Sequence, residues 1–216
     1  MHSLPLSIDT LLVIGAHSDD GEIGCGGTVL QLIAANPDID VTWVVVTGTT
    51  TRQTEARESA GAFLAGAKSH RVICGTLRDG FLPYLGMVPK ELFESVAASC
   101  NPDLILTHSR DDLHQDHRIC AELTRNTWRS HFILEYEIPK WDGDLGRPNT
   151  YVPIDQKTAD RKVSHLMDHF ASQRSKTWFT EDTFRGLMRI RGIECASPSG
   201  LAEAYFAPKV SLTPTR

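Results

Sequence analysis

Apolar, largely β-branched runs recur along the first half of the chain at residues 11–16, 41–47, 71–74 and 102–107. Between them lie segments of helical spacing at 28–35, 52–64 and 89–98. In the second of these, Ala56, Ala60, Phe63 and Leu64 make one apolar face, with Glu55, Arg57 and Glu58 mostly outside it. In the third, Pro89 stands in the first turn, where helix N–H groups lack partners in any case. Strand–helix alternation at this spacing predicts βαβ units, an α/β fold and a mostly parallel central sheet. Such a sheet places its site beyond the carboxyl ends of its strands.

After about residue 130 the pattern weakens. Residues 132–138 read as a further strand, 141–153 as an irregular loop rich in Gly, Pro, Asn and Asp, and 159–172 as a helix with Val163, Leu166, Met167 and Phe170 on one face. Residues 180–199 carry no readable signature. With no internal repeat or boundary, residues 1–216 are expected to form a single domain. The formal charge of −5 disfavours nucleic acid as a partner. No apolar run approaches the roughly 20 residues of a membrane span, so none is expected. The N-terminus lacks the cationic flank and apolar core of a signal peptide. The five cysteines are scattered and never spaced as CxxC, which suits reduced thiols and excludes a zinc ribbon. Both observations predict a cytoplasmic location. Self-association into a homo-oligomer is left open.

Chemistry concentrates at two strand ends. The run 11–16 leads into His17-Ser18-Asp19-Asp20, and the run 102–107 leads into a ten-residue segment, His108 to His117, holding three histidines and three aspartates. Buried ionised carboxylates are costly unless paired or bound to a metal. His17, Asp20 and His117 together would make a three-ligand site with positions left for water, the form of a catalytic rather than a structural zinc site. Asp19 is then a carboxylate placed to take a proton from water activated there. His114, three residues from His117, would stabilise an oxyanion or protonate a leaving amine, and Asp116 can orient a histidine.

His17-x-Asp19-Asp20 after a first strand, joined to Asp112-x-His114-x-Asp116-His117 after a later one, resembles the LmbE/PIG-L family of metal-dependent N-deacetylases. Arg52-x-x-Glu55, Arg191-Gly192 and the segment Ala202 to Phe206 extend the resemblance over residues 10 to 210. It implies a Rossmann-like three-layer sandwich. It implies His17, Asp20 and His117 as metal ligands, Asp19 as general base, and His114 as oxyanion stabiliser or acid oriented by Asp116. Arg52 becomes a substrate contact, while Asp112 is expected to bind substrate or orient a ligand. The cofactor implied is Zn2+, with Fe2+ or another divalent metal as substitutes. The substrate implied is a small-molecule N-acetylated amino sugar or sugar conjugate, whether free, nucleotide-linked or lipid-linked. Two positions depart from the family's His-Pro-Asp-Asp-Glu form. Ser18 replaces the proline, with an expected loss of loop rigidity, and Gly21 replaces the glutamate, with Glu22 one position later.

Other readings compete. Two histidines and a carboxylate also describe a non-haem Fe(II) oxygenase site, although the strand–helix alternation and the spare Asp19 argue against it. A catalytically silent sugar-binding protein would leave some of these positions unfilled. Gly24-x-Gly26-Gly27 does not match a dinucleotide loop. Cys25 reads as an inert buried thiol. His165 and His169 read as a helix face rather than a second metal site. Trp141, Trp178, Tyr136 and Tyr151 are open between core and sugar stacking.

Overall fold

The computed structural model describes residues 6–211. Its middle layer is a seven-stranded sheet: β1 (Thr10–Gly15), β2 (Asp40–Thr47), β3 (Ser69–Leu77), β4 (Leu104–His108), β5 (Phe132–Tyr136), β6 (Thr150–Pro153) and β7 (Ala202–Phe206). The strand order is β3-β2-β1-β4-β5-β7-β6. The five strands from β3 to β5 pair in parallel, and β7 runs antiparallel to both of its neighbours. The helices are α1 (Asp20–Ala35), α2 (Thr50–Phe63), α3 (Met87–Ala97), α4 (Gln115–Thr127), α5 (Gln156–His169) and α6 (Glu181–Glu194). No helix among the described residues is long and apolar enough to cross a membrane.

Strand alternation assigns the two faces. Leu11 and Val13 of β1 join a core with Val29 of α1, Phe63 of α2, Leu166 of α5 and Phe184 of α6. Leu12 and Ile14 join a second core with Phe93 of α3 and Cys120 of α4. The sheet is therefore covered on both sides, as a parallel sheet must be, and the expected three-layer α/β sandwich is the observed one. β1 lies between β2 and β4, so the strand order reverses there. Open α/β sheets bind ligands at that crevice, beyond the strand ends.

Several boundaries differ from those the sequence predicts. α1 starts at Asp20, not at residue 28. Its early glycines lie where helix and rings touch: a Cβ on Gly21 would fall 2.3 Å from a Trp43 ring carbon, and one on Gly24 would fall 2.2 Å from Tyr136. The helix also takes groups from outside. The Gly27 N–H, which a regular helix sends to Ile23, donates to Glu203 Oε1 at 2.7 Å, and Lys162 Nζ donates to the Ile23 carbonyl at 2.6 Å. α5 begins at Gln156 rather than 159 because Asp155 caps it, accepting the Thr158 N–H at 2.8 Å. β6 lies inside the stretch that reads as loop, α6 lies in the unread residues 180–199, and β7 forms where the sequence marks no strand.

Candidate metal centre

β1 ends at Gly15, and residues 16–19 turn directly into α1. Asp20 Oδ2 accepts the His17 backbone N–H at 2.6 Å and closes that turn. On the neighbouring strand β4 ends at His108, and a short loop leads to α4, capped by His114. The two halves meet across the crevice. His17 Nδ1 lies 3.1 Å from His117 Nε2 and 3.3 Å from Asp20 Oδ2, and His117 Nε2 lies 3.6 Å from Asp20 Oδ2. A tetrahedral ion with bonds near 2.1 Å separates its ligands by about 3.4 Å, so these three atoms fit such an ion.

His117 is prepared for that role. Its Nδ1 contacts Asp112 Oδ2 at 2.9 Å, which assigns the ring proton to Nδ1 and leaves the Nε2 lone pair for an ion. Burial, with His108 adding to it, pushes the His117 pKa down to about 3, so the imidazole is neutral. Burial disfavours ionising Asp20, but His117, His17 and His108 outweigh it and hold the carboxyl well below its usual range. His108 is a fourth imidazole that the sequence marks only weakly. It is fully buried, stacked on His117 at 3.9 Å, and its Nε2 accepts the Ala16 N–H at 2.9 Å. The same nitrogen lies 3.1 Å from Asp20 Oδ2, so His108, Asp20 and His117 form a second cluster of donors that could hold an ion beside the first.

Asp19 is 3% exposed and makes no capping bond to α1, although it stands at the N-cap. Burial and then Asp20 raise its pKa, while Arg52 and His17 act in the opposite direction. Arg52, in the first turn of α2, donates to three partners: Nε to Ser18 Oγ at 3.1 Å, NH2 to Asp19 Oδ1 at 3.2 Å and NH1 to Asp79 Oδ2 at 3.0 Å. Ser18 therefore ties its turn to α2, where the sequence predicts a loss of rigidity. His114 is half-buried, with its ring centroid 4.8 Å from His17 and 4.6 Å from His117. Burial and the neighbouring His17 lower its pKa.

One expected role changes. The Asp116 carboxylate does not orient His114. It accepts the Gly80 and Leu82 N–H groups at 2.6 and 3.1 Å and lies 3.4 Å from His17 Nε2, while His114 Nδ1 accepts the Asp116 backbone N–H at 3.3 Å. Asp112 lies against His117 with its side chain 4% exposed, the contact its alternative role as an orienting group requires, and it also lines a cavity beside Lys140 and Asp144. The sequence does not mark Asp79, whose Oδ1 lies 3.0 Å from His17 Nε2. It falls between β3 and α3 in a stretch with no periodic signal.

Beneath the site, Glu22 is fully buried, and desolvation raises its pKa to about 8. It accepts the Ser59 hydroxyl at 2.5 Å, and Ser59 Oγ lies 2.9 Å from His165 Nε2. His165 stacks on His169 at 3.9 Å as part of this packing. Tyr136 is core, donating to the Ile14 carbonyl, whereas Trp141 is 70% exposed and meets Trp178 edge-on.

Residues 12–128, more than half of the chain, match the family model described as PIG-L, GlcNAc-PI de-N-acetylase. The chain belongs to this family, and the match spans both halves of the crevice. No curated protein matches the sequence. Among solved structures, a conserved protein from Thermus thermophilus superposes with a TM-score of 0.73 at 20% identity, covering 97% of this chain and 99% of that one. The N,N'-diacetylchitobiose deacetylase of Pyrococcus horikoshii gives 0.71 at 23% identity, covering 92% and 83%. The 4-carboxy-2-hydroxymuconate hydratase GalB of Pseudomonas putida gives 0.74 at 17% identity, covering 96% and 99%. At these identities the likeness is one of fold. The fold thus carries deacetylation in one relative and hydration in another, and the reaction has to be argued from the site.

Proposed function

We propose that this chain is a metal-dependent hydrolase that removes an N-acetyl or related N-acyl group from an amino sugar or sugar conjugate. The observation that carries the reading is the triangle of His17 Nδ1, Asp20 Oδ2 and His117 Nε2, flanked by Asp19 and His114. Two imidazoles and one carboxylate with open positions suit zinc, and Fe2+ fits the same donors. A divalent ion there would polarise the amide carbonyl and bring the pKa of water toward about 7.

The chain's own groups supply the rest. Asp19 accepts a proton as water adds to the acyl carbon. His114, with its ring 4.8 Å from His17 and 4.6 Å from His117, stabilises the developing oxyanion. The proton taken by Asp19 then passes to the departing nitrogen as the C–N bond breaks, giving acetate and a free amine. Arg52 holds Asp19 through one arm of its guanidinium and offers a cationic edge to sugar hydroxyls.

The test is acetate release from a panel of free, nucleotide-linked and lipid-linked N-acetyl sugars, with metal content measured on the same sample. His117→Ala should lose the metal. Asp19→Asn should keep it and lose turnover by about 10²–10⁴-fold, the usual weight of a general base. Full activity in Asp19→Asn would overturn the base assignment. Oxygen-dependent turnover would favour an oxygenase, and sugar binding without acetate release a silent binding protein.

A further inference from the structure

Lys140 belongs to the stretch after β5, outside the residues matched to the family, yet it reaches the back of the metal centre. Its Nζ lies 3.0 Å from Asp112 Oδ1 and 2.5 Å from Asp144 Oδ2. All three side chains are largely buried on the wall of a cavity, with Lys140 7%, Asp112 4% and Asp144 5% exposed. Asp112 has no spare freedom: Oδ1 also accepts the His114 N–H at 2.8 Å, and Oδ2 contacts His117 Nδ1 at 2.9 Å. Asp144 Oδ2 accepts the Leu113 N–H at 2.7 Å, so both carboxylates bind the 112–114 backbone as well as the ammonium.

We infer that Lys140 is a positioning residue for the metal ligand His117, acting through Asp112. The inference rests on the metal reading above. Two carboxylates around one largely buried ammonium repel each other, and the ammonium both offsets that repulsion and fixes Asp112 Oδ1 by its own charge-assisted contact, which is lost with Lys140 even where residue 144 is uncharged. Held in this way, Asp112 keeps the proton of His117 on Nδ1 and directs Nε2 toward His17 and Asp20. The same contact makes the 139–147 segment part of the metal centre's support. A merely structural pin would predict lower stability with the metal site intact.

The experiment is competition for Zn2+ or Co2+ between the metal-free protein and a chromophoric chelator. Lys140→Met should weaken metal binding by about 10–100-fold, the usual effect of losing an outer partner of a metal ligand. Because that variant strands two buried anions, Lys140→Met with Asp144→Asn is measured beside it. The double variant should keep the metal-free melting temperature near that of the unsubstituted protein and still bind metal less tightly. Lys140→Arg, which retains the cation, should restore most of the affinity. If the double variant binds metal as tightly as the unsubstituted protein, Lys140 is only a structural pin and the inference is overturned. If the unsubstituted protein itself takes up no ion, the metal reading fails first and this inference falls with it.

Discussion

Arg52 joins two stretches that the chain keeps far apart in sequence. Its fork reaches Ser18 and Asp19 in the first motif and Asp79 after β3, and Asp79 in turn lies beside the outer nitrogen of His17. A lysine has one ammonium and cannot reproduce a planar three-way contact. Arg52→Lys should therefore lower kcat/KM by about 10–100-fold, as loss of outer support at metal sites commonly does. Ser18→Ala, which removes one of the three contacts, should cost less. Steady-state kinetics on the two variants checks the order, and wild-type behaviour in Arg52→Lys would show that the fork is dispensable. At this scale the sequence is readable where chemistry-bearing residues cluster. His17, Asp20 and His117 stand out because imidazoles and carboxylates crowd two strand ends. Asp79 and Lys140 do not, because a lone charged residue in an aperiodic stretch looks the same whether it faces solvent or a buried ligand. Asp116 reads as part of the site but with the wrong partner, since sequence spacing cannot show that the chain at Gly80 and Leu82 folds onto its carboxylate.

Among the elements, α1 is the one where local preference and tertiary packing disagree most. Gly21, Gly24, Gly26 and Gly27 each disfavour a helix by about 1 kcal/mol relative to Ala, so its first turns do not read as one. What forms them is contact: Trp43 and Tyr136 press against Gly21 and Gly24, and Glu203 with Lys162 takes over backbone groups in the middle. This also explains the departure at position 21. Trp43 fills the space a side chain there would need, so Gly21→Ala should destabilise by about 1–3 kcal/mol through overpacking. In a Trp43→Val background, itself destabilised because Trp43 is buried, the same Gly21→Ala change should cost less, and thermal melts of the two single variants and the double measure that coupling. The buried pair is the stronger test. Glu203→Gln leaves Lys162, 3% exposed, without its counter-charge. Breaking a buried pair from one side costs about 3–5 kcal/mol, or roughly 6–20 °C in melting temperature for a chain of this size. The parallel strands, α2 and α3 are legible because their apolar spacing agrees with their packing. β6, α6 and β7 are not, because short strands joined antiparallel at one end of the sheet and a helix spaced by charged residues carry weak periodic signals.

At the scale of the whole molecule, the reversal of strand order between β1 and β4 brings residues about a hundred positions apart into one crevice, and α1, α2 and α5 meet beneath it. That junction is polar: buried Glu22 of α1 and Ser59 of α2 and half-buried His165 of α5 form one hydrogen-bonded row. Its two titrating ends couple folding to pH with opposite sign. Burial raises the Glu22 pKa from 4.5 to about 8, so between those values the folded state holds a proton that the unfolded chain releases, and stability falls as pH rises. Burial, with His169 and Arg161, lowers the His165 pKa from 6.5 to about 4. Over that window the unfolded chain binds a proton that the folded state refuses, so the His165 contribution is complete above pH 6.5 and is lost as pH falls toward 4. His117, with a pKa near 3, acts in the same direction. A raw pH profile sums these effects, and the informative quantity is a difference. His165→Gln keeps a donor for Ser59 and removes the titration. The metal-free protein should therefore lose more melting temperature between pH 6.5 and 4.5 than His165→Gln loses over the same interval, while the two should run parallel above pH 7. Equal losses in the acid interval would show that His165 is free to take up a proton in the folded protein, and that the row from Glu22 to His165 does not link the three helices as the packing indicates.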